Sequence, residues 1–131
     1  MSNTPRTLVL GAGIVGRAAA WDLARRGHHV TVADTDTEAA REAADDFGVD
    51  AATIDAGDRT AAEEALSVHD AVVSAVPYSY GVALAASAVA TNCHYFDFGG
   101  NPTIVKRQLE LAEAARTGGV AVVPDCGLAP G

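Results

Sequence analysis

Lysine is almost missing from this chain: Lys106 stands alone among 131 residues. Together with the arginines it makes 9 basic against 17 acidic residues, a formal net charge of −8. A surface of that sign repels nucleic-acid backbones and anionic lipid headgroups, which excludes both as partners. The same imbalance fits two settings equally well. One is a high-salt cytoplasm, where dense carboxylates stay hydrated and their repulsion is screened; the other is an ordinary acidic mesophilic protein. Cysteine is scarce too, with only Cys93 and Cys126. Two thiols make no disulfide scaffold. If Cys93 opens one strand and Cys126 follows the next, they lie about five residues or roughly 16 Å apart, beyond the about 7 Å that a bridge allows. Cys93, His94 and Cys126 match no C-x-x-C or H-x-x-x-H spacing, so no metal site is expected. Both cysteines read as small buried thiols in a reducing compartment, and His28, His29 and His69 as structural, with no acidic partner evident in the sequence. Aromatic residues make up 5% of the chain, and its one tryptophan, Trp21, is expected to pack on a neighbouring element or a further domain. The stretch from Met1 to Arg6 has neither the basic nor the hydrophobic segment of a secretory leader, which points to the cytoplasm. Charge is absent from Ala71 to Phe96, yet Pro77, Gly81, Asn92 and His94 interrupt the run. It suits strand, helix and strand buried in a parallel sheet better than a membrane span.

What the chain does have is 49% hydrophobic residues over the length of one domain, enough for a real core. It also has a distinctive opening. An apolar strand, Arg6 to Leu10, runs into Gly11-Ala12-Gly13-Ile14-Val15-Gly16, a G-x-G-x-x-G turn. A helix follows in which Gly16, Ala19, Ala20 and Leu23 share one face, and Gly27 ends it. A second strand, His28 to Ala33, then closes on Asp34, 18 residues after Gly16. This is the dinucleotide-binding fingerprint. Gly11 permits the tight turn, Gly13 lets the backbone approach a pyrophosphate, and Gly16 lets the helix lie close to the strand. The helix N-terminus favours negative charge. Asp34 can accept both ribose hydroxyls and would repel a 2′-phosphate, while Thr35-Asp36-Thr37 provides no arginine to pair with one. NAD is therefore expected in preference to NADP.

The alternation continues. Thr35 and Glu38 have capping-box spacing for a helix to about Phe47, ended by Gly48. A strand from Asp50 to Ile54 stops at Asp55, and Asp58 or Thr60 caps a short helix through Leu66. Next come a strand from Ala71 to Val76, a small-residue helix from about Tyr80 to Thr91, and a strand from Cys93 to Phe98. Asn101 caps the following helix, with Pro102 in its first position. Val105, Leu109 and Ala112 are expected on the inner face of this helix, and Gly118-Gly119 ends it before a last strand, Val120 to Pro124. Six strands and five helices predict an α/β Rossmann fold, a doubly wound parallel sheet of order 3-2-1-4-5-6 with helices on both faces.

Ligands of such sheets bind at the carboxyl ends of the strands, around the switch between strands 1 and 4. That rule gathers the candidate cofactor residues. Gly11 to Val15 would hold the pyrophosphate, with Gly16 seating the helix at the foot of the turn, and Asp34 with Thr35 the adenosine ribose. Asp55 and Ala56 would lie near the adenine, and Ala75, Val76 and Pro77 beside the nicotinamide ribose. Tyr78 and Tyr80 are at least as well explained by packing. Asp97 and Asp125 fall near the reacting end, where each would orient a substrate or cap its own loop.

Three segments are familiar: Ser74-Ala75-Val76-Pro77-Tyr78, His94-Tyr95-Phe96-Asp97-Phe98-Gly99-Gly100-Asn101, and Pro124-Asp125-Cys126-Gly127-Leu128-Ala129-Pro130-Gly131. Through them the chain resembles the N-terminal domain of the saccharopine dehydrogenase family, in particular its lysine 6-dehydrogenase-like branch. The resemblance implies a pyridine-nucleotide oxidoreductase acting on the C–N bond of an amino acid. It also implies that residues 1–131 are the cofactor-binding part, inactive alone, with the substrate-binding and catalytic domain lying C-terminal to it. No catalytic residue is assigned here. The expected partners are the dinucleotide and an amino-acid substrate brought by that further domain, and a homodimer is compatible with the sequence. A rival of another class is a stand-alone nucleotide-sensing Rossmann module of the potassium-transport type. The first half of the chain suits either; the second half suits the dehydrogenase.

Overall fold

The computed structural model describes residues 4–127. The strands are β1 (Arg6–Leu10), β2 (His29–Asp34), β3 (Asp50–Thr53), β4 (Ala71–Ser74), β5 (His94–Asp97) and β6 (Val122–Val123). They form one sheet in the order β3-β2-β1-β4-β5-β6, with every neighbouring pair parallel. The connections carry α1 (Ile14–Arg25), α2 (Thr37–Phe47), α3 (Arg59–Leu66), α4 (Gly81–Ala90), α5 (Pro102–Leu109) and α6 (Ala112–Gly118), with a 3-10 turn at Tyr78–Tyr80 before α4. This is the doubly wound order expected from the sequence. The final Leu128-Ala129-Pro130-Gly131 of the closing motif lies outside the described residues.

The period-two alternation of β1 sets the two layers. Leu8 and Leu10 face one side, where they meet Val72, Tyr95, Leu66 of α3 and Leu84 of α4. Val9 faces the other side and meets Val30, Val32, Ala20 of α1 and Ala43 of α2. Each large aliphatic side chain buried this way contributes about 1.5–3 kcal/mol. The central strand is thus apolar on both faces because helices cover both. The uncharged run from Ala71 to Phe96 resolves into β4, α4 and most of β5, and no helix among the described residues is long and apolar enough to cross a membrane.

Several local expectations shift, each for a physical reason. Strands β3 to β6 end one or two residues early, and Ile54, Ala75, Val76 and Phe98, left off the ladder, line the clefts at the strand ends. Asp36, not Thr35, caps α2, accepting the Ala39 amide at 3.2 Å, since Thr35 and the Asp36 amide both turn towards Asp34. Asp58 rather than Thr60 caps α3 through the Ala61 amide at 3.1 Å. The long helix expected up to Gly118 breaks at Glu110–Leu111 into α5 and α6. Its inner face is also displaced. Val105 is half-buried, Leu109 and Ala112 are exposed, and Gln108 and Ala115 are buried. Apolar periodicity pointed to the wrong residues because β5 offers Gln108 hydrogen-bond partners that lower the cost of burying an amide. His29 does have an acidic partner: Asp50 lies 2.8 Å from its Nε2, brought there by the pairing of β2 with β3. Cys93 is buried as expected, but Cys126 is exposed, because it lies beyond the end of β6 and outside the sheet; burial, with Asp70 adding to it, pushes the Cys93 thiol up to about 12.

Candidate functional site

Strand pairing continues one residue past β1. The Ala75 amide donates to the Leu10 carbonyl and the Gly11 amide to that of Ala33, both at 2.7 Å. Gly11 is thereby wedged between β2 and β4 with φ +104°, and a Cβ there would sit 2.8 Å from the Ala75 carbonyl oxygen. Only glycine tolerates both conditions. A Cβ on Gly16 would land on the Gly11 carbonyl oxygen, so α1 rests directly on the turn. Gly13 is different. Its φ of −80° and ψ of −168° are open to any residue, and a Cβ there would meet no atom within 4 Å. The chain itself dictates Gly11 and Gly16, whereas Gly13 leaves space free outside the fold.

Gly13 is also the N-cap of α1, and like the starts of α4 and α6 this one has no side-chain cap. Asp36, Asp58 and Asn101 cap α2, α3 and α5, but α1 has no side-chain cap and no acidic residue in its first turn. Its first amides and the positive end of its dipole therefore face open space, which suits an anion such as a pyrophosphate. Beside them Ile14 is 90% exposed and Val15 half-exposed.

Asp34 ends β2 at the rim of this turn. One carboxylate oxygen accepts the Ala12 amide at 2.8 Å, and the other accepts the Asp36 amide at 2.9 Å and the Thr35 hydroxyl at 3.4 Å. Burial acts to raise its pKa, but these donors outweigh burial and hold it below the usual carboxylate value. The stability that the carboxylate lends is fully present above the ordinary carboxylate pKa. It is lost only as pH falls through the depressed folded value.

An open cleft of about 350 Å³ brings together Gly11, Gly13, Asp34, Thr35, Asp55, Ala56, Ala75, Val76 and Pro77 from the ends of four strands. Of the other candidates, Ala12 lies buried behind the turn, Gly16 beneath it, and Ile14 and Val15 on the first turn of α1. Asp55 plays two parts: it lines the cleft, and its carboxylate closes a turn on the Gly57 amide at 2.8 Å. Tyr80, for which packing was an equal expectation, also lines this cleft. Val76 and Pro77 continue into a second, smaller cavity with Val15, Tyr78, Asp97, Asn101 and Gln108.

Sequence reasoning missed the polar framework behind that second cavity. Asp97 is 8% exposed and Gln108 1% exposed. One oxygen of Asp97 accepts the Tyr95 hydroxyl at 2.7 Å and the Gln108 side-chain amide at 2.8 Å; the other accepts the Asp125 backbone amide at 2.8 Å. Burial and then the hydrogen bond to Asp97 push the Tyr95 phenol well above its ordinary value, so it stays protonated and donates. A signal for part of this was present: Tyr95 and Asp97 are two apart on a strand and so share a face.

With the geometry in place, the sequence comparisons decide the family. Residues 7–123 match the family model described as the saccharopine dehydrogenase NADP binding domain. The chain belongs to the saccharopine dehydrogenase family. A relative in that family is saccharopine dehydrogenase [NADP(+), L-glutamate-forming] from Pyricularia oryzae, 30% identical over 131 residues, covering 98% of this chain and 28% of the relative. Among solved structures, apo saccharopine dehydrogenase (L-Glu forming) from Saccharomyces cerevisiae superposes with a TM-score of 0.85 at 27% identity, over 97% of this chain and 28% of that one. A UDP-N-acetylglucosamine 3-dehydrogenase from Acidithiobacillus ferrooxidans, 23% identical with a TM-score of 0.72 over 95% of this chain and 39% of that one, shares the fold. This family member thus spans a little over a quarter of the length of its saccharopine dehydrogenase relatives, and its cleft belongs to a nicotinamide-dinucleotide-binding domain. The match runs through both halves of the chain, which favours the dehydrogenase over the nucleotide-sensing alternative.

Proposed function

We propose that this chain is the cofactor-binding part of an oxidoreductase that acts on the C–N bond of an amino acid, and that it prefers NAD to NADP. The observation that carries the preference is the Asp34 carboxylate, ionised and held at the cleft rim by the Ala12 amide at 2.8 Å. In this reading Gly11, Ala12, Gly13, Ile14, Val15 and Gly16 form the pyrophosphate turn. Asp34 and Thr35 take the adenosine ribose, and Asp55 and Ala56 border the adenine. Ala75, Val76 and Pro77 border the nicotinamide ribose, with the smaller cavity beyond them for the nicotinamide end. The dinucleotide supplies the hydride acceptor or donor. The residues of this chain bind and orient it, and a further domain C-terminal to residues 1–131 supplies the substrate contacts and the acid/base groups. The names of the family model and of the Pyricularia oryzae relative specify NADP. In this chain an anionic Asp34 stands against a 2′-phosphate, and no arginine follows at residues 35–37 to attract one.

Titration calorimetry with the two reduced cofactors tests the preference. NADH is expected to bind the parent chain more tightly than NADPH. Asp34→Ala should weaken NADH by about 10-fold or more, the loss of one charge-assisted hydrogen bond of roughly 1.5–3 kcal/mol, and NADPH by less. Equal affinities in the parent, or equal losses in the variant, would remove the ribose role of Asp34.

A further inference from the structure

The smaller cavity beyond Val76 and Pro77 is lined by the turn after β5, and the segment after β6, far away in sequence, packs against that turn. Asp97 joins them. Its backbone carbonyl accepts the Cys126 amide at 2.9 Å and its side chain the Asp125 amide at 2.8 Å. Asp125 in turn stands in the left-handed region at φ +62° and offers its own carboxylate to the Gly100 amide at 3.3 Å. Gly99, at φ +68°, has no room for a side chain because a Cβ would strike the Asp125 carboxylate. Behind this junction Tyr95 and Gln108 donate to the other oxygen of Asp97. Gly81 gives way to them, since a Cβ there would lie 2.8 Å from the Gln108 side-chain nitrogen. Two observations set this cluster apart from ordinary loop capping. Asp97 is a buried carboxylate held by three neutral donors and by no ion pair among the described residues. The Gln108 side-chain oxygen is buried with no hydrogen-bond partner, so the glutamine keeps its amide turned to Asp97 although that orphans its oxygen. Leaving such an atom unsatisfied is costly, and the cost persists only where the arrangement is otherwise over-determined.

We propose that Asp97 is a positioning residue for the nicotinamide half of the cleft: by clamping the Pro124–Gly127 segment to the Phe98–Gly100 turn, it shapes the cavity that receives the nicotinamide end. The inference rests on the dinucleotide reading of the cleft and adds to it a division of labour. The glycine turn and Asp34 hold the adenosine and pyrophosphate end and do not depend on the clamp. Asp97→Ala removes the carboxylate from three donors at once. Asp97→Asn keeps an oxygen for the Asp125 amide, and its new amide group is accommodated by rotating the Gln108 amide to present the oxygen that is now unpartnered.

The test compares NADH with ADP-ribose, which lacks the nicotinamide, on the 131-residue chain by titration calorimetry, with circular dichroism as the check on folding. Asp97→Ala should weaken NADH by about 10-fold while ADP-ribose stays within about twofold of the parent, and Asp97→Asn should recover most of the NADH affinity. A merely structural role would move both ligands together, so equal losses for NADH and ADP-ribose overturn the proposal, as does an Asp97→Ala chain that is folded and binds NADH like the parent. Should Asp97→Ala fail to fold, Gly99→Ala decides. It pushes on Asp125 without touching the buried cluster, and the same split between ligands supports the clamp while its absence overturns it. A failure of the dinucleotide reading is visible separately, as a parent chain that binds neither NADH nor ADP-ribose, and the proposal falls with it.

Discussion

Gly13→Val is expected to abolish dinucleotide binding and leave the chain folded. A Cβ at this position meets no protein atom within 4 Å, and the backbone at φ −80° and ψ −168° suits any L-residue, so nothing inside the fold resists the change. The stability cost is that of a poor helix N-cap, roughly 0.5–1 kcal/mol, since valine ranks well below glycine there. For a domain of this size that lowers the melting temperature by only a few degrees, about 2–6 °C. The space that the isopropyl group fills lies over the uncapped start of α1, where the pyrophosphate belongs. Calorimetry should therefore detect no NADH binding, a loss beyond about 100-fold or 2.7 kcal/mol. Binding at parental affinity would place the cofactor elsewhere on the molecule.

Gly16→Ala, a smaller substitution three residues on, should do the reverse and damage the fold itself. Its single methyl group would be driven into the carbonyl oxygen of Gly11, a backbone atom that the Ala33 and Ala75 pairings hold in place. Over-packing in a core costs about 1–3 kcal/mol even where side chains can yield. Here α1 must lift from the turn, pulling Ala20 out of contact with Val9 and Val32. Against a total stability of roughly 5–15 kcal/mol, a melting temperature lower by about 10 °C or more, or an insoluble chain, is the expected result of thermal unfolding followed by circular dichroism. A Gly16→Ala protein that melts like the parent would show that the helix has slack at this contact and that the partition among the three glycines is mistaken.

Those two variants mark where the sequence was readable. The G-x-G-x-x-G spacing, the placement of Asp34 and the alternation of short apolar runs with helical ones are local patterns, and each depends on residues within about 20 positions of one another. They were enough for six strands in the order 3-2-1-4-5-6 and for a cleft at the strand ends, because a parallel sheet with right-handed crossovers admits few other arrangements. The tasks of Gly11 and Gly16 followed from the same motif, and both reappear as contacts with Ala75 and with the turn.

Long-range packing assigned everything that depends on which side chains meet across the sheet. Gln108 is buried, against the apolar periodicity of its helix, because Tyr95 and Asp97 reach it from β5; no pattern within Pro102–Leu109 contains that information. His29 meets Asp50 through the pairing of β2 with β3. Asp36 displaced Thr35 as the cap of α2 once Asp34 had drawn the neighbouring donors to itself. Asp97 and Asp125, 28 residues apart, become one junction because parallel β5 and β6 end side by side. Periodicity reports the chain's own preference for water or core, and it is silent where a polar group is buried because a distant partner satisfies it. The cofactor turn of this protein is written in consecutive residues, and the cavity at the reacting end is made by hydrogen bonds between strands.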